Sequence, residues 1–208
     1  MKDETSLASA EAYRRAAFAD DLSLTLQEAW ARLAHGVRDR RSPFHTPAIA
    51  TIGPDGRPRM RTVVLREADV GQGLLRFHTD LRGAKVAELR REPRVALHAY
   101  DPRAKFQVRV EGIAGIHFDD AVADGAWGAS RQMSRACYGT EPEPGTPLDA
   151  FDGFRIPSDE EEIDAGRENF CAVLIRVATI ETLYLDHAGH RRARFALGSA
   201  TGSSWLTP

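Results

Sequence analysis

The side chains of this chain best suited to chemistry are cations gathered on segments that read as strands and at the start of a helix. Arg59, Arg61 and Arg66 lie close together, Arg82 and Lys85 follow Thr79, and Arg191, Arg192 and Arg194 come near the end. A helix opening after Thr79 would present free N–H groups and the positive end of its dipole, a place where a phosphate binds. Arginines raised on neighbouring strands would add bidentate contacts to its oxygens. Taken singly, each arginine is as well explained by a weak surface pair; the joint placement points to an anionic ligand. His187 and His190 have a spacing that a metal could use, but they sit in the turn sequence Asp186-His187-Ala188-Gly189 with no third ligand nearby, so no metal site is expected. Cys137 and Cys171 form no CxxC pair, which suggests two reduced thiols in a cytoplasmic protein.

Other common sites are missing. The chain has no GxGxxG after a strand, no GxxxxGK[ST], no HExxH and no GxSxG. Lys and Arg total 28 against 30 Asp and Glu, a net charge of -2, which argues against a general nucleic-acid binder. The longest apolar run, near Ala172 to Ile175, falls far short of the roughly 20 residues that span a bilayer. The start of the chain, with Lys2, Asp3 and Glu4, reads as lacking an export signal.

The elements that must position the cations read as one domain over 1–208, mainly β with flanking helices. Leu26, Ala29, Trp30, Leu33 and Val37 recur at helical spacing, predicting a helix over 22–41 capped by Ser23 or Asp21. From 47 to 118 short β-branched runs are separated by turns. Ala48 to Ile52 enters the turn Gly53-Pro54-Asp55-Gly56, and Arg57 to Arg66 returns as one strand. Leu74 to Thr79 is a third strand. Asp80 then caps a short helix that carries Val86 and Leu89 inward and ends at Glu92-Pro93. Strands over Arg94 to Tyr100 and Lys105 to Phe118 complete a meander that favours a closed or nearly closed barrel. A helix is expected over 120–138, anchored by Ala121, Trp127 and Met133. The acidic, proline-broken stretch 139–169 reads as a surface loop, and 170–207 as C-terminal strands whose hairpin closes the sheet.

The residues also resemble a known family. Arg61-Thr62-Val63-Val64-Leu65-Arg66, Phe77-His78-Thr79-Asp80, Lys85 with Glu88-Leu89 and Pro93-Arg94-Val95, and Gln107-Val108-Arg109-Val110-Glu111-Gly112 are similar in order and spacing to the pyridoxamine 5'-phosphate oxidase-like flavoproteins. Ser134, Arg135 and Tyr138, followed by Pro144-Gly145, resemble the oxidase-related FMN-binding branch. The resemblance implies an FMN-binding split β-barrel, homodimeric, with the cofactor in a groove between subunits. Arg61 would sit at the phosphate end, and Thr62, Val63, Val64, Leu65 and Arg66 would run along the flavin. His78, Thr79, Arg82 and Lys85 would hold the phosphate or ribityl chain, and Ser134 and Arg135 would complete the site. Gln107 would bond the ring, and Arg194 would approach its N1/O2 edge.

Departures from the oxidase pattern bear on substrate. Ala84 replaces a cation, Leu183 an aromatic residue, and His190-Arg191-Arg192 the arginine-spacer-histidine pattern. Arg66, Arg191 and Arg192 are the substrate-binding candidates, and His78, His98 and Tyr100 are proton donors by type alone. The expected function is FMN-dependent oxidoreduction of a small molecule. The alternatives are pyridoxamine or pyridoxine 5'-phosphate oxidation, a flavin sensor or carrier without turnover, and a barrel that binds haem or a deazaflavin.

Overall fold

Alternation of apolar and polar residues builds the body of the molecule from antiparallel strands. The structure is a computed structural model that describes residues 16–198 and 202–208; the reading of Lys2, Asp3 and Glu4 lies outside them. Helix α1 spans Leu22–Arg38, with the Asp21 carboxylate accepting from the Leu24 N–H at 2.8 Å and Ala29, Trp30 and Leu33 buried. The strands are β1 (Ala48–Ile52), β2 (Pro58–Thr62), β3 (Leu65–Asp69), β4 (Leu74–Asp80), β5 (Arg94–Asp101), β6 (Phe106–His117), β7 (Phe170–Tyr184), β8 (Arg191–Ala196) and β9 (Ser203–Leu206). Helix α2 (Ala84–Arg91) follows β4, while α3 (Ala121–Gly128), α4 (Gln132–Arg135) and α5 (Glu160–Ala165) lie between β6 and β7.

The sheet runs β2-β1-β5-β6-β7-β4-β3, with β8 added to β7 and β9 to β8. The inward residues, among them Ile49, Leu75, Phe77, Leu97, Phe106, Ile175, Ile180 and Phe195, are buried with Trp30 and Leu33 of α1 in one core. A smaller cluster of Ala123, Ala126, Trp127, Tyr138, Phe170 and Ala172 holds α3 against β7. Strand β7 organises this arrangement. It pairs with β6 along its length, with β4 over residues 170–176 and with β8 over residues 179–184. The β6–β7 register shifts between Glu111 and Gly112 where β7 changes its other partner. A side chain on Gly112 would collide with the carbonyl oxygen of Arg176, so the two backbones approach there only because the residue is glycine.

Several expectations require correction. The segment 57–66 is two strands: β2 pairs with β1 and β3 with β4, and Val63 and Leu65 tie the link down by donating to Pro47 O and His45 O. The chain there passes between the two ends of the sheet path. Helix α2 begins after Gly83 rather than at Asp80, because the Asp80 carboxylate is occupied by Arg82. The 120–138 helix is broken into α3, α4 and a 3-10 turn over Ala136–Gly139; Trp127 is buried, whereas Met133 is 90% exposed. Gly125 and Gly128 weaken this helix, and Ser130 bonds back to Ala126 O at 2.8 Å just beyond it.

The 139–169 stretch is partly ordered by α5, whose first turn carries Glu160, Glu161 and Glu162 at the favourable end of the dipole and whose cap is Asp159. At the C-terminus the β7–β8 hairpin forms around the expected turn, but β8 extends the sheet from β7 and receives β9 rather than joining a distant strand. Gly112→Ala is expected to cost about 1–3 kcal/mol through overpacking. A chemical denaturation midpoint equal to that of the parent chain would contradict this reading of the β6–β7 crossing.

Candidate functional site

The end of β2, the start of β3, the end of β4, the first turn of α2 and the α4 region converge on a groove of about 370 Å³. Thr62, Val63, Val64 and Arg66 form one wall, His78, Thr79 and Lys85 another, and Ser134, Cys137 and Tyr138 the third. Leu65 points its side chain into the core. Strand alternation explains His78: Phe77 and Thr79 are buried, while His78 faces the other side.

The electrostatics of this groove are unbalanced. The Lys85 ammonium donates to Thr79 Oγ1 at 2.9 Å, and burial, reinforced by the charge of Arg61, lowers its pKa. Neither Lys85 nor Arg66 has a carboxylate within ion-pair reach among the described residues. The N-cap of α2, Gly83, supplies no side-chain hydrogen bond to the helix end. A Cβ there would come within 3.5 Å of Lys85 Nζ. Nε2 of His78 is buried with no hydrogen-bond partner. Burial, with the charges of Arg76 and Arg66, pushes this imidazole down to about 3, so it is neutral. A desolvated lysine beside a second cation, a helix end without a side-chain cap and a ring nitrogen with no partner among the described residues fit, in one groove, an FMN phosphate and its ribityl chain.

Arg61 stands beside Lys85 on a buried support. Its Nη2 lies 2.7 Å from Glu88 Oε2, and it also donates to Thr51 Oγ1. Glu88, with a side chain 2% exposed, accepts from Thr51 Oγ1 at 2.5 Å and meets Arg59 at 3.3 Å. Burial works to raise the Glu88 pKa, but these hydrogen bonds and charges outweigh it and leave the carboxyl below its ordinary value. The carboxylate therefore fixes the Arg61 guanidinium, whose Nη1 also donates to Arg59 O at 3.2 Å, and Arg61 is not among the residues that line the groove.

Other predicted residues lie elsewhere. Arg82 is clamped to Asp80 at 2.7 Å and donates to Tyr138 O and Thr140 O, so it ties the loop after α4 to β4. Arg135 packs over the Trp127 ring and bonds Trp127 O and Gly128 O, holding α4 to α3. Gln107 sits on β6 opposite Leu183, and Arg194 is exposed on β8 opposite Glu181. Arg191 pairs with Asp20 at 2.8 Å and Arg192 with Glu181 at 2.9 Å. His98 and Tyr100 on β5 line neither this groove nor its neighbour. His190 accepts from the Asp186 N–H within its turn.

Thr79 pairs with Cys171 and Gln107 with Leu183, and those β7 positions are roughly 40 Å apart along an extended strand at about 3.3 Å per residue. One chain thus separates Lys85 and His78 from Gln107 and Arg194. A neighbouring cavity of about 260 Å³ shares Arg66, His78 and Ser134 with the groove and adds Arg38, Arg40, His45, Arg76, Ser130 and Arg131. Sequence reading missed these additions: Arg38 and Arg40 look like the polar end of a surface helix, and Arg131 falls within what reads as one continuous helix. Glu88 was legible only as part of the family motif.

Residues 27–118 match the family model described as pyridoxamine 5'-phosphate oxidase, FMN-binding domain. A pyridoxine/pyridoxamine 5'-phosphate oxidase of Myxococcus xanthus is 31% identical over 147 residues, which are 58% of this chain and 69% of that protein. The chain belongs to this FMN-binding family. The family match contains Arg61 to Arg66, His78, Thr79, Lys85 and Gln107, while Ser134, Arg135 and the arginines of β8 lie beyond it. A Rubrobacter xylanophilus oxidase of the same description is 35% identical over 58% of this chain, and the chain spans 65% of that relative's length. Among solved structures, a pyridoxamine 5'-phosphate oxidase-related, FMN-binding protein from Nostoc punctiforme is 27% identical, with a TM-score of 0.71 over 88% of this chain and 96% of that one.

The neutral His78 carries a pH signature. In the ligand-free chain, the unfolded state takes up a proton below the ordinary value of 6.5, whereas the folded state resists until about 3. Stability is therefore full above that upper limit and falls with decreasing pH, by at most about 1.4 kcal/mol per pH unit from this group. Urea denaturation at pH 6 and pH 5 should show the parent losing about 1 kcal/mol more than His78→Gln; equal losses would contradict the buried neutral imidazole.

Proposed function

We propose that the chain is an FMN-dependent oxidoreductase acting on a small anionic molecule, and that residues 1–208 work as one FMN-binding unit, a split β-barrel paired with a second copy. The observation that carries this reading is the pair of cations, Lys85 and Arg66, that face one groove without carboxylate partners among the described residues, beside a buried His78 nitrogen with no hydrogen-bond partner among them. The description of the Nostoc relative as FMN binding supports the cofactor. The homodimer rests on the separation of Lys85 from Gln107 and Arg194 along β7: two copies could bring both sets to one cofactor, each contributing one end. The unpaired thiols of Cys137 and Cys171 suit the reducing cytoplasm.

In this assignment Lys85, Thr79 and the Glu88-supported Arg61 hold the cofactor phosphate. The backbone from Val63 to Leu65 lies beside the ring, and His78, held neutral, accompanies the ribityl chain. Gln107 and Arg194 of the second copy would hold the ring, Gln107 by hydrogen bonding and Arg194 by supplying a positive charge. FMN supplies the redox chemistry once bound. Arg66, at the junction of the groove and the neighbouring cavity, orients the anionic substrate. Arg191 and Arg192, already paired with Asp20 and Glu181, stay outside this role.

The direct test is the absorption spectrum of the purified protein, with the released chromophore identified by mass and the protein titrated anaerobically with NADPH. Flavin bands, released FMN and bleaching support a redox enzyme; a colourless protein that refuses added FMN overturns the reading. Aldehyde formation from pyridoxamine 5'-phosphate under oxygen would assign the vitamin as substrate. Lys85→Ala removes one charged phosphate partner worth about 1.5–3 kcal/mol, so FMN should bind roughly 10- to 100-fold more weakly. Unchanged affinity, measured by flavin fluorescence, would remove Lys85 from the site.

A further inference from the structure

The cavity next to the flavin groove is walled by arginines from three parts of the fold: Arg66 and Arg76 from the sheet, Arg131 from the link between α3 and α4, and Arg38 and Arg40 from the end of α1 and the residues after it. No aspartate or glutamate lines it. Arg76 is neutralised by Glu67 at 2.9 Å. Arg38, Arg40, Arg66 and Arg131 have no carboxylate within ion-pair reach among the described residues.

Two buried nitrogens in the same walls, Arg76 Nε and His78 Nε2, have no hydrogen-bond partner among the described residues. Unpartnered buried nitrogens are costly, and four like charges around one space, Arg66 half-buried and Arg38, Arg40 and Arg131 exposed at its mouth, give it a positive potential that favours an anion. Both conditions are relieved by one ligand that brings acceptors to the floor and negative charge to the rim.

A single phosphate beside Arg66 would leave Arg38 and Arg40 without a counter-charge, since they enter from α1 rather than from the sheet. We propose that the small molecule handled beside the flavin carries two separate anionic groups, one met by Arg66 and His78 on the floor and the other by Arg38, Arg40 and Arg131 at the rim. This rests on the flavin reading for its place in a reaction, but the anion preference belongs to the cavity itself. A molecule with one phosphate and a cationic amine, such as pyridoxamine 5'-phosphate, presents the wrong charge to one of these two sets of residues.

The test uses inorganic phosphate, pyrophosphate and citrate at fixed ionic strength. Binding is followed by flavin fluorescence in the FMN-loaded protein and by calorimetry with and without added FMN. Pyrophosphate and citrate should bind at least tenfold more tightly than phosphate. The surface double variant Arg38→Gln/Arg40→Gln should lose that preference while keeping the parent affinity for FMN and for phosphate.

Equal binding of all three anions to the parent, or a preference that survives in the double variant, overturns the proposal. If the protein refuses FMN yet calorimetry still shows the preference and its loss in the variant, the flavin reading fails and the doubly anionic site stands.

Discussion

The pairing of β7 with three other strands is the constraint from which the site follows. Its first half belongs to β4 and its second half to β8, while β6 runs alongside both. Because β7 is fifteen residues long, the end of β4 with His78 and Thr79 is held at one extremity, and Gln107 and Arg194 near the other. Gly112 allows β6 to cross the change of partner without losing its ladder. The same pairing that completes the sheet therefore sets the candidate cofactor residues at opposite ends of β7.

At the β4 end, charge is managed in two ways. Where a cation must be fixed, a buried carboxylate holds it: Asp80 clamps Arg82 and so anchors the loop after α4, and Glu88 with Thr51 supports Arg61. Where a cation faces open space, the fold supplies no acid. Among the described residues Lys85 has only the Thr79 hydroxyl, and Arg66, between groove and cavity, has no carboxylate within ion-pair reach. A buried carboxylate with several donors is a costly feature unless all are satisfied, and Glu88 is satisfied by three groups. The cations left without an acid among the described residues are those on which the proposed site rests.

Much of this was legible in the sequence, and the failures have physical causes. The α1 stripe and its Asp21 cap are local signals, and so are the strands around the Gly53 to Gly56 turn. The break at Val63-Val64 was hidden because apolar alternation continues through it; only the sheet path, a long-range property, separates β2 from β3. Asp80 is a competent cap by type, but the guanidinium of Arg82 two residues on competes for it. Lys85, legible from its place at a helix start, and Ser134, legible only through a family motif, line the same groove. Arg82 belongs to the same cationic cluster as Lys85 and Arg135 to the family motif of Ser134, yet their partners, Asp80 and the carbonyls of α3, hold them elsewhere. The arginines of the second cavity come from helix ends and links, where charge is common and spacing carries no message.

The central claim is that one cofactor site is assembled from two copies. Complementation between two variants tests it most directly. Lys85→Ala and Arg194→Ala chains, carrying different tags, would be co-expressed, and doubly tagged dimers isolated. Each single-variant homodimer should bind FMN weakly at both sites. In the mixed dimer both changes fall in one site and the other regains the parent sequence, so FMN titration should recover tight binding at half of the sites. Mixed dimers that bind no better than either homodimer would place Lys85 and Arg194 in the same site of one chain, or outside the site altogether, and would contradict the account.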